Sequence, residues 1–410
     1  MRRIIEKFKI KIKNMDLGKE KFNSAEMFLI VCMGIIFGVF LGNIFFSSNK
    51  ITFQTEQKNN ELNEIEETYK KITTDYYKDI DEEKLKEAAI NGMLSLLKDK
   101  HTSYFNEANA ENFNTTLNGT FEGIGASIFK DEDGLATVGV VYKNSPAEKA
   151  GIKETDKFIK VDDKDVTNMA IDEISKLIKS KKEEITLVMQ REKEEYTTKI
   201  TTGIVEIPSV SSKIYEESNK KIGYIYISIF ALNTDEQFEE ELKKLEKQKI
   251  DSLIIDLRSN TGGHLDSTVN IASQFLNKKQ IVCQIKNKEN IRKIYSNTNS
   301  TRKYPIVVLV NNSSASGSEV LAAALQEEYK ATLIGEKTYG KGTVQTTYKF
   351  SDGSMIKYTT ESWLTSKGNS IDEKGITPDI IEKLNEEYYK TGEDKDDNQL
   401  KKAISVLKDK

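Results

Sequence analysis

The sequence predicts an α/β protein in which a layered core follows a small β-rich domain and a helical N-terminal region. From Pro208 onward, strand-like runs such as residues 222–230, 252–257 and 306–310 alternate with helical patterns at residues 236–247, 265–276 and 319–328, the order of a layered α/β core. Two of those runs, Leu253-Ile254-Ile255 and Ile306-Val307-Val308-Leu309-Val310, show no polar alternation, as expected of strands covered by helices on both faces. Between Gly119 and Ile204, Gly-rich and β-branched segments replace the charged helical periodicity that precedes them.

A chain of 410 residues exceeds the usual size of one core, and 37% hydrophobic residues suffice to bury more than one. Residues 1–26 carry Arg2, Arg3, Lys7, Lys9, Lys11, Lys13, Lys19 and Lys21 against four acids. The next 20, residues 27–46, hold Asn43 as their single strongly polar member. That is the length of one transmembrane helix, and the basic flank keeps the N-terminus cytoplasmic. The run exceeds the h-region of a cleaved signal peptide, and no Ala-x-Ala site follows it. The expectation is a single-pass membrane anchor with everything after Ser47 outside.

Residues 51–118 form a helical region in which Leu85, Ala88, Ala89, Met93, Leu96 and Leu97 recur at helical spacing. Residues 119–203 are the β-rich domain, 204–384 the α/β core, and 385–410 a charged tail ending in a short helical pattern. The 61 basic and 65 acidic residues are spread along the chain for a net charge of −4, so nothing recruits nucleic acid. Cys32 lies in the apolar run and Cys283 in the core, so neither a disulfide nor a metal site is expected.

Three segments of the core can carry chemistry. In Asn311-Asn312-Ser313-Ser314-Ala315-Ser316-Gly317-Ser318-Glu319 a buried strand ends in small polar residues and a helix starts at once. A serine there stands where unpaired N–H groups and the positive helix end favour an oxyanion, although four serines in six residues also make an ordinary cap. Lys341 sits between Gly340 and Gly342; burial would lower its pKa and let it act as a base without histidine. Asp256-Leu257-Arg258-Ser259-Asn260-Thr261-Gly262-Gly263 is again a strand leading through glycines into a helix, where backbone N–H groups can approach a ligand.

Together these segments resemble the carboxyl-terminal processing peptidases, or tail-specific proteases, and the likeness extends through Ser351-Asp352-Gly353-Ser354 and Gly375-Ile376-Thr377-Pro378-Asp379 over roughly residues 80–385. The resemblance implies a core of crotonase-like ββα units and a bacterial serine endopeptidase without cofactor. It places the nucleophile on Ser316, the general base on Lys341 and the lysine-orienting glutamine on Gln345. The oxyanion hole would use the N–H of Gly317 with that of Gly262 or Gly263. His101, in Lys100-His101-Thr102-Ser103-Tyr104, looks like the family's structural Asp-Pro-His-[ST]-x-Tyr element with lysine in place of proline. His264 is the rival base for a Ser-His-Asp arrangement.

Residues 119–203 resemble a PDZ domain, with Phe121-Glu122-Gly123-Ile124-Gly125-Ala126 as carboxylate-binding loop, so that Gly123, Ile124, Gly125 and Ala126 would hold the C-terminus of a protein substrate. Arg191 is a candidate tail-sensing charge or a plain strand arginine. The resemblance also implies that this domain gates the site and that the helical N- and C-terminal parts serve a homodimer. A catalytically silent envelope scaffold and a gated, sporulation-type signalling protease are the alternatives.

Overall fold

The computed structural model describes residues 60–409. The basic segment 1–26 and the expected membrane helix 27–46 lie outside the described residues; among those described, no helix is long and apolar enough to cross a membrane. Contacts divide the chain into Met1–Leu85 and Lys86–Lys410. In the first unit, helix α1 (Asn60–Asp75) carries i,i+4 ion pairs between Lys70 and Glu66 and between Lys71 and Asp75. Helix α2 (Glu82–Ser95), most of which belongs to the second unit, buries no residue, and Met93, Leu96 and Leu97 stay exposed. The periodicity foresaw the helix; the apolar stripe finds no burial, because burial needs a partner surface that local sequence does not specify.

In the second unit, β1 (Ser103–Phe105) precedes helix α3 (Glu107–Asn118), which ends on Gly119 in the left-handed region. Strand β2 (Thr120–Gly123) enters the β-rich domain and pairs with β9 (Gly203–Glu206), which leaves it. Between them lie β3 (Ala126–Lys130), β4 (Ala136–Val141), helix α4 (Pro146–Lys149), β5 (Lys157–Val161), β6 (Lys164–Asp165), helix α5 (Ile171–Lys179), β7 (Ile185–Arg191) and β8 (Glu194–Ile200). Their sheet runs β3-β4-β5-β7-β8, so β3 is an edge strand. The domain has its own core, in which Ile174 and Ile178 of α5 meet Ile124, Val138, Phe158 and Leu187.

The main sheet comprises β10 (Val210–Glu217), β11 (Lys220–Ile227), β12 (Ser252–Asp256), β15 (Ile306–Val310), β16 (Thr332–Gly335) and β19 (Ile380–Ile381), in that order. The β10-β11 hairpin is antiparallel and every later pairing parallel. Helices α6 (Thr234–Lys247), α7 (Leu265–Ser273) and α8 (Gly317–Ala324) are its crossovers, and a π-helical turn at Leu325–Tyr329 extends α8. A second sheet orders β1-β18-β13-β14, from β13 (Ile281–Lys286), β14 (Ile291–Tyr295) and β18 (Met355–Leu364), with β17 (Thr343–Lys349) also on β18.

Both β12 and β15 are buried at all five positions. Ile255 and Val308 face the helical layer; Ile254, Val307 and Leu309 face Leu400, Ala403 and Leu407 of the C-terminal helix α10 (Asn398–Lys408), which follows the short α9 (Glu386–Thr391). Each leucine so buried contributes about 1.5–3 kcal/mol. Cys283 is a buried free thiol, pushed up to about 12 by burial.

Candidate active site

Ser316 is the N-cap of α8 and has φ 54° and ψ −114°. A non-glycine residue pays strain there, of order 1–3 kcal/mol, and such a strand-to-helix turn lifts a side chain clear of its loop. The neighbouring serines separate by their bonds. Ser314 Oγ donates to the Leu257 carbonyl and Ser318 Oγ to the Asn260 carbonyl, each at 2.8 Å. Ser316 Oγ makes no capping bond, which leaves it for chemistry.

One buried carboxylate fixes the turn. Glu319, with no exposed surface, accepts the N–H of Ser316 (2.9 Å), the N–H of Gly340 (2.7 Å), the N–H of Lys341 (2.9 Å) and the hydroxyl of Thr338 (2.6 Å). Four donors on two oxygens offset the cost of burying the charge, and they tie the serine turn to the lysine loop. Lys341 is pinned on its other side by the Trp363 indole N–H, which donates to its carbonyl at 2.9 Å. Burial first, then the Lys357 ammonium, lower the Lys341 pKa to about 8, against the opposing pull of Asp99 and Glu319. No hydrogen bond joins Ser316 Oγ to Lys341 Nζ.

The Asp256–Gly263 segment divides into two tasks. Its start anchors the tail: Arg258 Nη2 meets Asp256 at 2.6 Å and Asp397 at 2.7 Å, Arg258 Nη1 donates to Gln399, and Tyr224 donates to Asp256. Its end faces the nucleophile. Asn260, fully buried, donates to the Ile227 carbonyl and accepts the N–H of Gly262 at 2.8 Å. Gly262 has φ 102°, and a Cβ there would stand 2.8 Å from that of Ser316. With the Gly262 N–H spent on Asn260, the N–H groups of Gly263 and Gly317 have no protein acceptor among the described residues.

Gln345 makes no hydrogen bond to the lysine: its Nε2 donates to Thr343 Oγ1 (2.9 Å) and Thr359 Oγ1 (3.1 Å). Thr359 in turn donates to Asp99 at 2.6 Å. The segment around His101 thus reaches the site: burial and the Lys341 charge lower the His101 pKa, and its ring meets Tyr339 edge-on at 6.3 Å. Sequence reasoning read His101 as structural and passed over Asp99; the signal available was their place in one motif. His264 Nε2 is buried without a partner among the described residues, and burial lowers the pKa of the ring.

In the β-rich domain Gly123 pairs with Gly203, and the carbonyls of Ile124 and Gly125 accept the N–H groups of Ala147 (2.7 Å) and Tyr142 (2.9 Å). The N–H groups of Ile124 and Gly125 have no protein acceptor among the described residues, and Ala126 opens edge strand β3. Successive free N–H groups make a concavity for an anion. Arg191 is turned away from such a role: it forks onto the buried Asp156 at 2.8 Å and donates to the Gly151 carbonyl. The strand arginine is a structural ion pair.

Residues 221–382 match the model of peptidase family S41, residues 115–190 that of the PDZ domain, and residues 43–109 the N-terminal domain of the activating protease CtpB. The probable CtpA-like serine protease of Staphylococcus aureus strain N315 is 39% identical over 331 residues, 80% of this chain and 65% of that protein. The chain therefore spans about 65% of the length of that relative. Its counterpart in Staphylococcus haemolyticus strain JCSC1435 is 36% identical over 359 residues, 86% of this chain and 71% of the relative. The photosystem II D1 C-terminal processing protease superposes with a TM-score of 0.46 at 27% identity, covering 78% of this chain and 86% of that one. An alignment of this depth across the PDZ domain and the core makes the chain a member of peptidase family S41, among its PDZ-containing CtpA-like serine proteases.

Proposed function

We propose that this chain is a membrane-anchored endopeptidase that takes protein substrates by their C-terminal tails and cleaves them with Ser316 and Lys341. The observation that carries the reading is the Glu319 carboxylate, which holds the Ser316 turn and the Lys341 loop together. Neutral Lys341 takes the proton of Ser316 Oγ, and the alkoxide attacks a peptide carbonyl. The N–H groups of Gly317 and Gly263 receive the oxyanion, a role worth about 10²–10³ in kcat per donor. The resulting ammonium returns its proton to the leaving amine, and water then releases the acyl group with Lys341 again as base.

The tail's carboxylate sits on the N–H groups of Ile124 and Gly125, between Gly123 and Ala126, while the peptide adds a strand to β3. Residues 27–46 anchor the chain with the N-terminus inside and the enzyme outside. Exposed Met93 on α2, with Leu96 and Leu97 in the turn that follows it, favours a homodimer through that arm.

The test is cleavage of an unfolded protein with an apolar C-terminus by the full chain in mild detergent, comparing wild type with Ser316→Ala and Lys341→Ala. Loss in both variants is expected. Activity retained in Lys341→Ala would move the base elsewhere, with His264 next, and an inactive wild type that still binds the tail would turn the reading to a scaffold.

A further inference from the structure

A relay of three residues runs from the Asp99 loop to Gln345, and its proton directions can be read from chemistry alone. Asp99 accepts the hydroxyl of Thr102 (2.7 Å), the hydroxyl of Thr359 (2.6 Å) and the N–H of His101 (2.9 Å). Burial alone would raise its pKa, but these three donors outweigh burial and hold the carboxyl below its usual range. An ionised carboxylate only accepts, so the single proton of the Thr359 hydroxyl is committed to Asp99. Thr359 Oγ1 then has only lone pairs for a further partner, and that partner is the Gln345 amide nitrogen.

A glutamine amide is ambiguous in orientation until its network is known. Here both N–H groups of Gln345 are used, one on Thr343 and one on Thr359. A flipped amide would set its oxygen against an oxygen with no proton to give. The backbone is built for this pairing: a bulge between Val344 and Gln345 places Gln345 directly opposite Thr359, and the Thr359 N–H turns to Thr102 Oγ1. Bulges of this kind re-aim side chains beside functional sites. The amide oxygen is the end left to accept from a cation, and Lys341 lies four residues before Gln345 in the same segment.

We propose that Asp99 and Thr359 are positioning residues: through their hydrogen-bond relay they hold the Gln345 amide with its oxygen free to accept from the Lys341 ammonium. The proposal rests on Lys341 being the base. The charges acting on Lys341 are Lys357 from β18, Asp99 from the loop before β1 and Glu319 from α8, and Lys341 in turn acts on His101.

The experiment compares kcat, KM and the pH dependence of cleavage for Thr359→Val, Thr359→Ser and Asp99→Asn, with Lys341→Ala alongside. Thr359→Val is expected to lower kcat at least tenfold with KM little changed, and Thr359→Ser to restore most of it. Asp99→Asn, which lets the relay reverse and removes a negative charge that favours the ammonium, is expected to lower kcat and move the acid limb to lower pH. Thr359→Val leaves that limb in place, a difference that mere loosening of the fold would not produce. If Lys341→Ala is dead while Thr359→Val keeps wild-type kcat, the relay is wrong and the base assignment stands. If Lys341→Ala is active, the base assignment fails first. Should Asp99→Asn not fold, the Thr359 pair decides alone.

Discussion

Lys341 is joined to Glu319 through its backbone and not through its charge: its N–H donates to Oε2 at 2.9 Å, and no ion pair joins the two side chains. The carboxylate acts as a clamp on main chain, and its pull on the ammonium, with that of Asp99, is outweighed by burial and by the Lys357 charge. Replacing Glu319 by glutamine keeps the volume but sets an NH2 against N–H donors. The expected result is a loss of about 2–4 kcal/mol of stability together with a fall in kcat of at least tenfold, read by thermal denaturation and cleavage of a model substrate.

Cleavage should rise with pH through about 8, because only neutral lysine can take the serine proton and burial sets the Lys341 pKa there. A pH profile of kcat/KM for wild type checks this, and a plateau already reached at pH 6 would contradict it.

The same lysine makes the fold less stable than it could be. Its folded pKa of about 8 lies below the unfolded 10.5, so the unfolded chain binds more protons between those values and stability rises with pH across that window. Below pH 8 the penalty is complete, up to about 3 kcal/mol. Lys341→Met should therefore raise the denaturation midpoint at pH 7 and give little gain near pH 11, while abolishing cleavage.

Gly125 has φ 81°, and a Cβ there would stand 2.2 Å from that of Ser145. Gly125→Ala should displace the Ile124–Gly125 amides and weaken binding of a free-carboxylate peptide at least tenfold, measured by fluorescence anisotropy. A C-terminally amidated peptide should bind equally poorly to both proteins.

The tail is held by charge as well as by grease. Asp397 is 1% exposed and pairs with Arg258, itself 8% exposed. Asp397→Asn should cost about 1.5–3 kcal/mol, because Arg258 keeps Asp256 but loses one charged hydrogen bond; chemical denaturation measures it.

The sequence made the layered core legible, since runs such as Ile306–Val310 have no other economical explanation and the structure buries all five residues. It also made Ser316 and Lys341 candidates, because a strand ending in small residues before a helix, and a lysine between glycines, are local patterns. What it could not give is where side chains spend their hydrogen bonds. Gln345 reaches Thr343 and Thr359, the Gly262 N–H is consumed by Asn260, and Arg191 serves Asp156. Each partner is set by tertiary register, and Asp99, 260 residues before Thr359 in sequence number, is the extreme case. Burial of the α2 stripe failed to follow from its period for the same reason.

The strands that lead into and out of the PDZ domain leave the core side by side, Thr120 opposite Glu206, and the Ile207 N–H closes onto the Gly119 carbonyl at 2.8 Å. The domain is therefore an insertion with adjoining ends, while β1, which precedes it in the chain, already belongs to the catalytic half. The domain can on that account be exchanged as a separate part: a different module, or a short turn, could be spliced at this neck without changing the order of any strand in the main sheet.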